Sequence, residues 1–122
     1  MRDRGRGAWP WLLQRVSALA LLILVVTHLW IEHFMHLGQT ITYHGVAARL
    51  MHAAYDAVDY ALLIVVVYHA LNGFRSVLFD RIAAPALQRL TTGILWLVGI
   101  ATVVLGGDIL SAFLDGRAWF YL

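Results

Sequence analysis

The sequence predicts an all-α integral membrane protein with three transmembrane helices and a cytoplasmic N-terminus, packed against a second chain into a helical bundle. Three observations predict it. The 122 residues are 61% hydrophobic and 13% charged, with a mean hydropathy of +0.75, too apolar for an ordinary soluble domain of this length. The apolar residues gather into three runs long enough to cross a bilayer, and the arginines are spread unevenly about them. With no cysteine in the chain, disulfides, iron–sulfur ligation, thiol catalysis and covalent c-type haem attachment are excluded within it. The nine basic residues are all arginine and the formal net charge is +2, so no nucleic-acid partner is expected.

The chain reads as a single transmembrane domain over 1–122, with helices near 11–35, 52–79 and 87–113. Arg2, Arg4 and Arg6 among glycines, followed by Trp9 and Trp11, form a basic tail meeting an interfacial aromatic belt. A cleaved signal peptide is the rival reading, disfavoured because the apolar run exceeds a typical signal core and no small-residue cleavage site follows it. Pro10 suits a first helical turn, where its missing N–H costs nothing. Helix 11–35 has an uncharged centre between Arg15 and Glu32 and would extend ~37 Å, enough to cross a ~30 Å hydrocarbon layer with some tilt. Residues 36–49, rich in Gly, Thr, Gln and His, predict an external loop.

The second span has a polar outer part with Tyr55, Asp56, Asp59 and Tyr60, then a wholly apolar centre, then the stretch Tyr68-His-Ala-Leu-Asn-Gly-Phe-Arg-Ser-Val-Leu-Phe-Asp80. A short turn over 81–88 follows, with Pro85 fixing φ at the entry to the third helix. That helix is uncharged from Leu90 to Gly107, and Gly99 and Gly106 lie seven apart on one face, where small residues let another helix approach closely. Asp115, Gly116 and the cluster Trp119-Phe120-Tyr121 suit an interface at the end of the chain.

Arg2, Arg4, Arg6, Arg15, Arg75, Arg81 and Arg89 fall on one side of the predicted membrane, and Arg49 and Arg117 on the other. The positive-inside rule then places the N-terminus in the cytoplasm. Three such helices cannot hide Arg15, His28, Glu32, Asp59 and His69 from lipid by themselves, so a partner chain is expected.

His69 is the chemical centre of this reading. An intramembrane histidine can be a packed hydrogen-bonding residue, a proton carrier, or a metal or haem ligand. Asn72 and Gly73, three and four residues on, share its side of the helix, and a glycine there would let a flat group press against the backbone. Asp80 returns to that face near the boundary. Arg75 points elsewhere, but its long side chain could reach an anionic propionate at the membrane edge or serve as a headgroup anchor. The histidines His33, His36, His44 and His52 near the outer surface lack a carboxylate or cysteine pattern that completes a metal site, and solvated or interfacial roles are expected.

Taken together, Trp11-Leu-Leu-Gln-Arg-Val-Ser-Ala18, His28, and His69-x-x-x-Gly73-x-Arg75 with Asp80 five residues later resemble the small membrane-anchor subunits of succinate dehydrogenase (succinate:quinone oxidoreductase). The resemblance spans all three helices, the third only by position and length. It implies a b-type cytochrome anchor in a four-subunit complex, where a flavoprotein subunit and an iron–sulfur subunit on the cytoplasmic face pass electrons to quinone. His69 would then be an axial ligand of haem b, with the second ligand from the other anchor subunit. Arg75 would be a candidate for a haem propionate, and Gly73 would give clearance for the haem. Arg15, Ser17, Asp80 and Arg81 would border the quinone site. The family commonly has tyrosine after the acid matching Asp80, so Arg81 is a departure that weakens this position's quinone hydrogen bond. Features of both anchor types are present, and overall length and the first loop favour the smaller, D-type anchor.

His28 lies ~20 Å from the level of Arg15, or ~25 Å if Trp11 marks the boundary, whereas His69 lies ~16 Å from Asp80. On the second measure the two histidines sit at different depths, and His28 is a candidate ligand of a second, distal haem in the two-haem anchors the resemblance includes. A polar inter-helix seam with Ser17 and Glu32 is the competing reading. The function expected is electron transfer in the bacterial cytoplasmic (inner) membrane, by a subunit that does not itself act on succinate. The alternatives are a haem-free structural anchor of the same complex and a small proton-conducting transporter subunit using Glu32, Asp59 and the histidines.

Overall fold

The computed structural model describes residues 8–34 and 53–114, together with 42, 44, 45 and 48; of Ala53, Phe113 and Leu114 only the helical backbone is described. Helix α1 covers Ala8–Leu29 and runs on into a π-helical segment, Trp30–Phe34. Helix α2 covers Ala53–Phe79, and α3 covers Pro85–Leu114. No strand occurs among the described residues.

Each helix is apolar enough to cross a membrane over 26 to 28 residues: Ala8–Phe34, Ala54–Phe79 and Pro85–Ala112. At 1.5 Å per residue these reach ~40 Å, more than the ~30 Å hydrocarbon layer requires. Helix α1 starts three residues before the expected position because Pro10 sits inside its first turn, where no amide donor is needed. Arg15, one turn above Trp11, lays its guanidinium 4.1 Å from the centre of that ring, which gives a charge at this level an aromatic face instead of bare lipid. In the π segment, where one wide turn alters the register, the rings of Trp30 and Phe34 stack at 5.1 Å.

Helix α2 ends where the amides of Arg81 and Ile82 both bond to the carbonyl of Leu78. The residue before Pro85 is disfavoured in helical geometry, and Pro85 then opens α3 at its first position. The Gln88 side chain donates to the Ile82 carbonyl at 2.7 Å and ties the connection to the new helix.

Helix α2 is central, with α1 on one flank and α3 on the other, and no comparable α1–α3 interface forms among the described residues. Both pairs are antiparallel, since Ser17 meets His69 while His28 meets Asp59, and Arg75 meets Thr92 while Tyr60 meets Gly107. The α2–α3 seam uses the expected glycines. A Cβ on Gly99 would fall 2.8 Å from Leu71 Cδ1, and one on Gly106 would fall 2.8 Å from Leu63 Cδ2, so both absences permit the close approach. The Tyr60 hydroxyl donates to the Gly107 carbonyl at 2.6 Å.

Such a layer has almost no interior. Ala112 is the one buried apolar residue among those described, while Leu19, Leu22, Leu97 and Leu105 are each more than 60% exposed. In water each exposed leucine would forgo ~2 kcal/mol of burial; in lipid it forgoes nothing. The hydroxyls follow the same logic. Thr27 and Thr102, both exposed, donate to the carbonyls of Ile23 and Val98 at 2.8 Å, which leaves no donor unsatisfied in hydrocarbon. The chain is a multi-pass membrane protein.

Candidate functional site

The polar residues of α1 and α2 meet along their shared seam in two places. The inner cluster is built on Gln14 and Ser17, which are three apart and so share a face of α1, and on His69 and Asn72, which do the same on α2. Ser17 is buried at 7% exposure. Its hydroxyl donates to the Gln14 carbonyl at 3.0 Å and lies 2.9 Å from His69 Nδ1. A hydroxyl has one proton, and this one is committed to the carbonyl. With that proton on the carbonyl the oxygen would accept from an Nδ1–H, whereas the Gln14 NH₂ group, 3.3 Å from Nδ1, faces the same nitrogen as a donor, so these contacts orient the ring without fixing its tautomer.

Asn72 fixes the amide of Gln14. Its Nδ2 donates to Gln14 Oε1 at 2.7 Å and to the Pro10 carbonyl at 3.1 Å, so the Gln14 NH₂ group faces His69. That group donates to the His69 carbonyl at 3.2 Å and makes two long contacts to the ring, 3.3 Å from Nδ1 and 3.4 Å from Nε2. An imidazole held by a neighbour at Nδ1 can ligate a metal through Nε2, once the long Gln14 contact there gives way. In their chemistry the residues thus fit a haem iron.

The outer pair joins His28 Nδ1 to Asp59 Oδ1 at 2.7 Å, with 34% and 18% of the two side chains exposed. Ser17 and His28 are 11 residues apart on α1, and Asp59 and His69 are 10 apart on α2, so the two sites lie ~15 Å apart along the seam. His28 and His69 thus sit at different depths. One turn before Asp59, Asp56 is 3% exposed and its Oδ1 has no hydrogen-bond partner. It occupies the first turn of α2, where unpaired amides and the helix dipole favour a carboxylate.

The other expected site residues disperse. The space next to Gly73 is taken up by Gln14, whose Nε2 would lie 3.0 Å from a Cβ there. Arg75 turns to the opposite flank, its Nε donating to Thr92 Oγ1 at 3.2 Å, because six residues carry it 240° around the helix from His69. Arg15 is exposed beside Trp11. Asp80 and Arg81 are exposed in the α2–α3 connection, ~16 Å along α2 from His69. The residues expected around quinone therefore occupy two levels: Arg15 and Ser17 beside the histidine, Asp80 and Arg81 at the end of the helix.

Gln14 was not singled out by sequence reasoning, although one amide in an apolar run, three residues before a serine, is a detectable signal. Asp59 as the partner of His28 was also missed. Of the outer histidines, His36 and His52 lie outside the described residues, and no three His, Cys, Asp or Glu side chains gather into a metal-holding group among the described ones.

Comparison with known proteins agrees with the helical layer. Residues 2–107 match the family model for the succinate dehydrogenase/fumarate reductase transmembrane subunit. The chain is 29% identical over 100 residues to the succinate dehydrogenase 2 membrane subunit SdhC of Mycobacterium tuberculosis, covering 81% of this chain and 71% of that one. It is 33% identical over 86 residues to the succinate dehydrogenase hydrophobic membrane anchor subunit of Archaeoglobus fulgidus, covering 67% of this chain and 73% of that one. A helical layer with no core of its own, a seam that positions one histidine, and these two relatives lead to one assignment: the chain belongs to the family of succinate dehydrogenase/fumarate reductase transmembrane subunits, as a membrane anchor.

Proposed function

We propose that the chain is the haem b-binding anchor of a succinate:quinone oxidoreductase in a bacterial cytoplasmic membrane, with its N-terminus in the cytoplasm. It pairs with a second anchor subunit and docks the iron–sulfur and flavoprotein subunits. The observation that carries this reading is the held histidine on the α1–α2 seam: Ser17 lies 2.9 Å from His69 Nδ1, and Asn72 orients the Gln14 amide beside the ring. Haem b, when bound, supplies a one-electron centre between the iron–sulfur subunit and quinone. The chain's own residues do the rest. Ser17 orients the His69 ring through Nδ1. Gln14 closes the seam on the ring's other side, and the apolar flanks of α1 and α2 exclude water. The partner anchor would supply the other ligand to the iron, in keeping with the open faces of the layer. Arg15 and Ser17 at the histidine level, and Asp80 and Arg81 at the helix end, are the chain's candidates for bordering quinone.

A second reading concerns the outer pair. Because Asp59 holds His28 Nδ1, His28 also presents Nε2, and a distal haem at that depth would take it as a ligand.

The test is a reduced-minus-oxidised spectrum of the purified four-subunit complex with a haem-to-complex ratio. A b-type band at one haem per complex is expected, and a ratio of two establishes the distal site. A colourless, fully assembled complex would leave a haem-free anchor in its place.

A further inference from the structure

A hollow lies on the α2–α3 flank, away from His69, where the two helices approach their connection. It measures about 400 Å³ and is lined by Arg75, Phe79, Pro85, Gln88, Arg89 and Thr92. We propose that it holds the phosphate of an anionic phospholipid, gripped by Arg75 and Arg89.

The hydrogen bonds prepare Arg75 for this. Thr92 donates its single hydroxyl proton to the Gln88 carbonyl at 2.8 Å, so its oxygen accepts from Arg75 Nε at 3.2 Å. The guanidinium also lies over the Phe79 ring at 4.4 Å. One edge and one face are thereby fixed, and the terminal Nη groups have no protein acceptor among the described residues. A guanidinium held by Nε with its fork open matches the two oxygens of a phosphate.

The surrounding charge agrees. Arg89, on the first turns of α3, also has no carboxylate partner among the described residues, no acid lines the hollow, and the first turn of α3 contains none. The amides at the start of that 30-residue helix add to the positive potential. Two guanidiniums with no acid beside them make a local positive potential at the membrane boundary, which favours an anion from the headgroup layer as occupant.

Depth distinguishes a lipid from a soluble phosphate. Arg75 lies four residues from the end of α2, ~6 Å inside it, at the level where arginine side chains meet headgroups. The exposed Phe74 and Leu90, each one residue further into the membrane than Arg75 and Arg89, give the acyl chains an apolar surface beside the phosphate.

The test uses the intact purified complex. After delipidation it is titrated with phosphatidylglycerol or phosphatidylcholine and bound lipid is counted by native mass spectrometry, for wild type, Arg89→Gln, Arg89→Lys and Thr92→Val. Wild type should bind phosphatidylglycerol saturably and in preference to phosphatidylcholine. Arg89→Gln should weaken that binding about fivefold, the worth of one arginine at an anionic surface, and Arg89→Lys should restore most of it. Thr92→Val should weaken it by releasing Arg75, with no change in the haem band. Equal binding by wild type and Arg89→Gln, or no preference for the anionic lipid, overturns the proposal. So does displacement of the lipid by millimolar inorganic phosphate, which marks a soluble-anion site, and so does loss of the soluble subunits from Arg89→Gln at unchanged lipid binding, which marks a protein contact.

Discussion

The two ends of the α1–α2 seam use the same residue type in different company. At the inner end His69 Nδ1 meets a neutral, buried hydroxyl whose proton is spent elsewhere; at the outer end His28 Nδ1 meets a carboxylate at a half-exposed position. A hydroxyl orients the ring through one nitrogen without bringing a charge to it. A carboxylate tolerates either protonation state of its histidine, and it strengthens the contact through charge. The inner end is therefore a positioning device for one nitrogen, and the outer end first of all a clamp between two helices.

Substitutions can break or sharpen this comparison, and the largest effect is expected from the flank that holds neither site. Gly106→Leu would place four heavy atoms where Leu63 already stands and should destabilise the α2–α3 pairing by ~2–3 kcal/mol, read by graded detergent denaturation of the intact complex. Gly106→Ala should cost under ~1 kcal/mol, because the Leu63 tip can rotate away. Both should leave the haem band of the assembled complex unshifted.

Asp59→Leu is next. It strips a charge-assisted interhelical bond and should cost ~1.5–2 kcal/mol, near the upper end for polar contacts between membrane helices. An inner-end haem band unchanged by this variant would confirm that the two ends act independently. Asn72→Leu should cost ~1 kcal/mol by freeing the Gln14 amide, and it should also broaden the haem spectrum as that amide loses its fixed orientation. Ser17→Ala should have the smallest effect on stability, ~0.6 kcal/mol. It should nevertheless shift the haem midpoint potential, because the hydrogen bond to Nδ1 sets ligand basicity; an unmoved potential would reduce Ser17 to packing.

The three spans were legible because hydrocarbon demands uninterrupted apolar runs, and the seven-residue spacing of Gly99 and Gly106 marked a close helix contact on the third span without naming its partner. Helix ends were less so: Pro10 and Pro85 allow helix on both sides of, or right from, the proline, so α1 and α3 start earlier than expected. His69 stood out as an ionisable group in an apolar helix. Its partners did not, since pairing Gln14 and Ser17 with His69 and Asn72 depends on the antiparallel register, which no local pattern encodes. The same holds for His28 and Asp59, which are 31 residues apart. Arg75 was the legible counterpart, since its six-residue offset from His69 already turned it off that face. It is close to His69 in sequence, but helical rotation sends it to the other flank. The preference for a D-type role rests on length and on the connection after α1, most of which lies outside the described residues, as do Arg2, Arg4, Arg6, Arg49, Arg117 and the Trp119-Phe120-Tyr121 cluster.

The division of labour along the seam is tested most directly by one paired measurement, the reduced-minus-oxidised spectra of the intact complex with His69→Ala and with His28→Ala. The account predicts that the inner-end b-type band disappears with His69→Ala and persists with His28→Ala. A band that survives His69→Ala would contradict it.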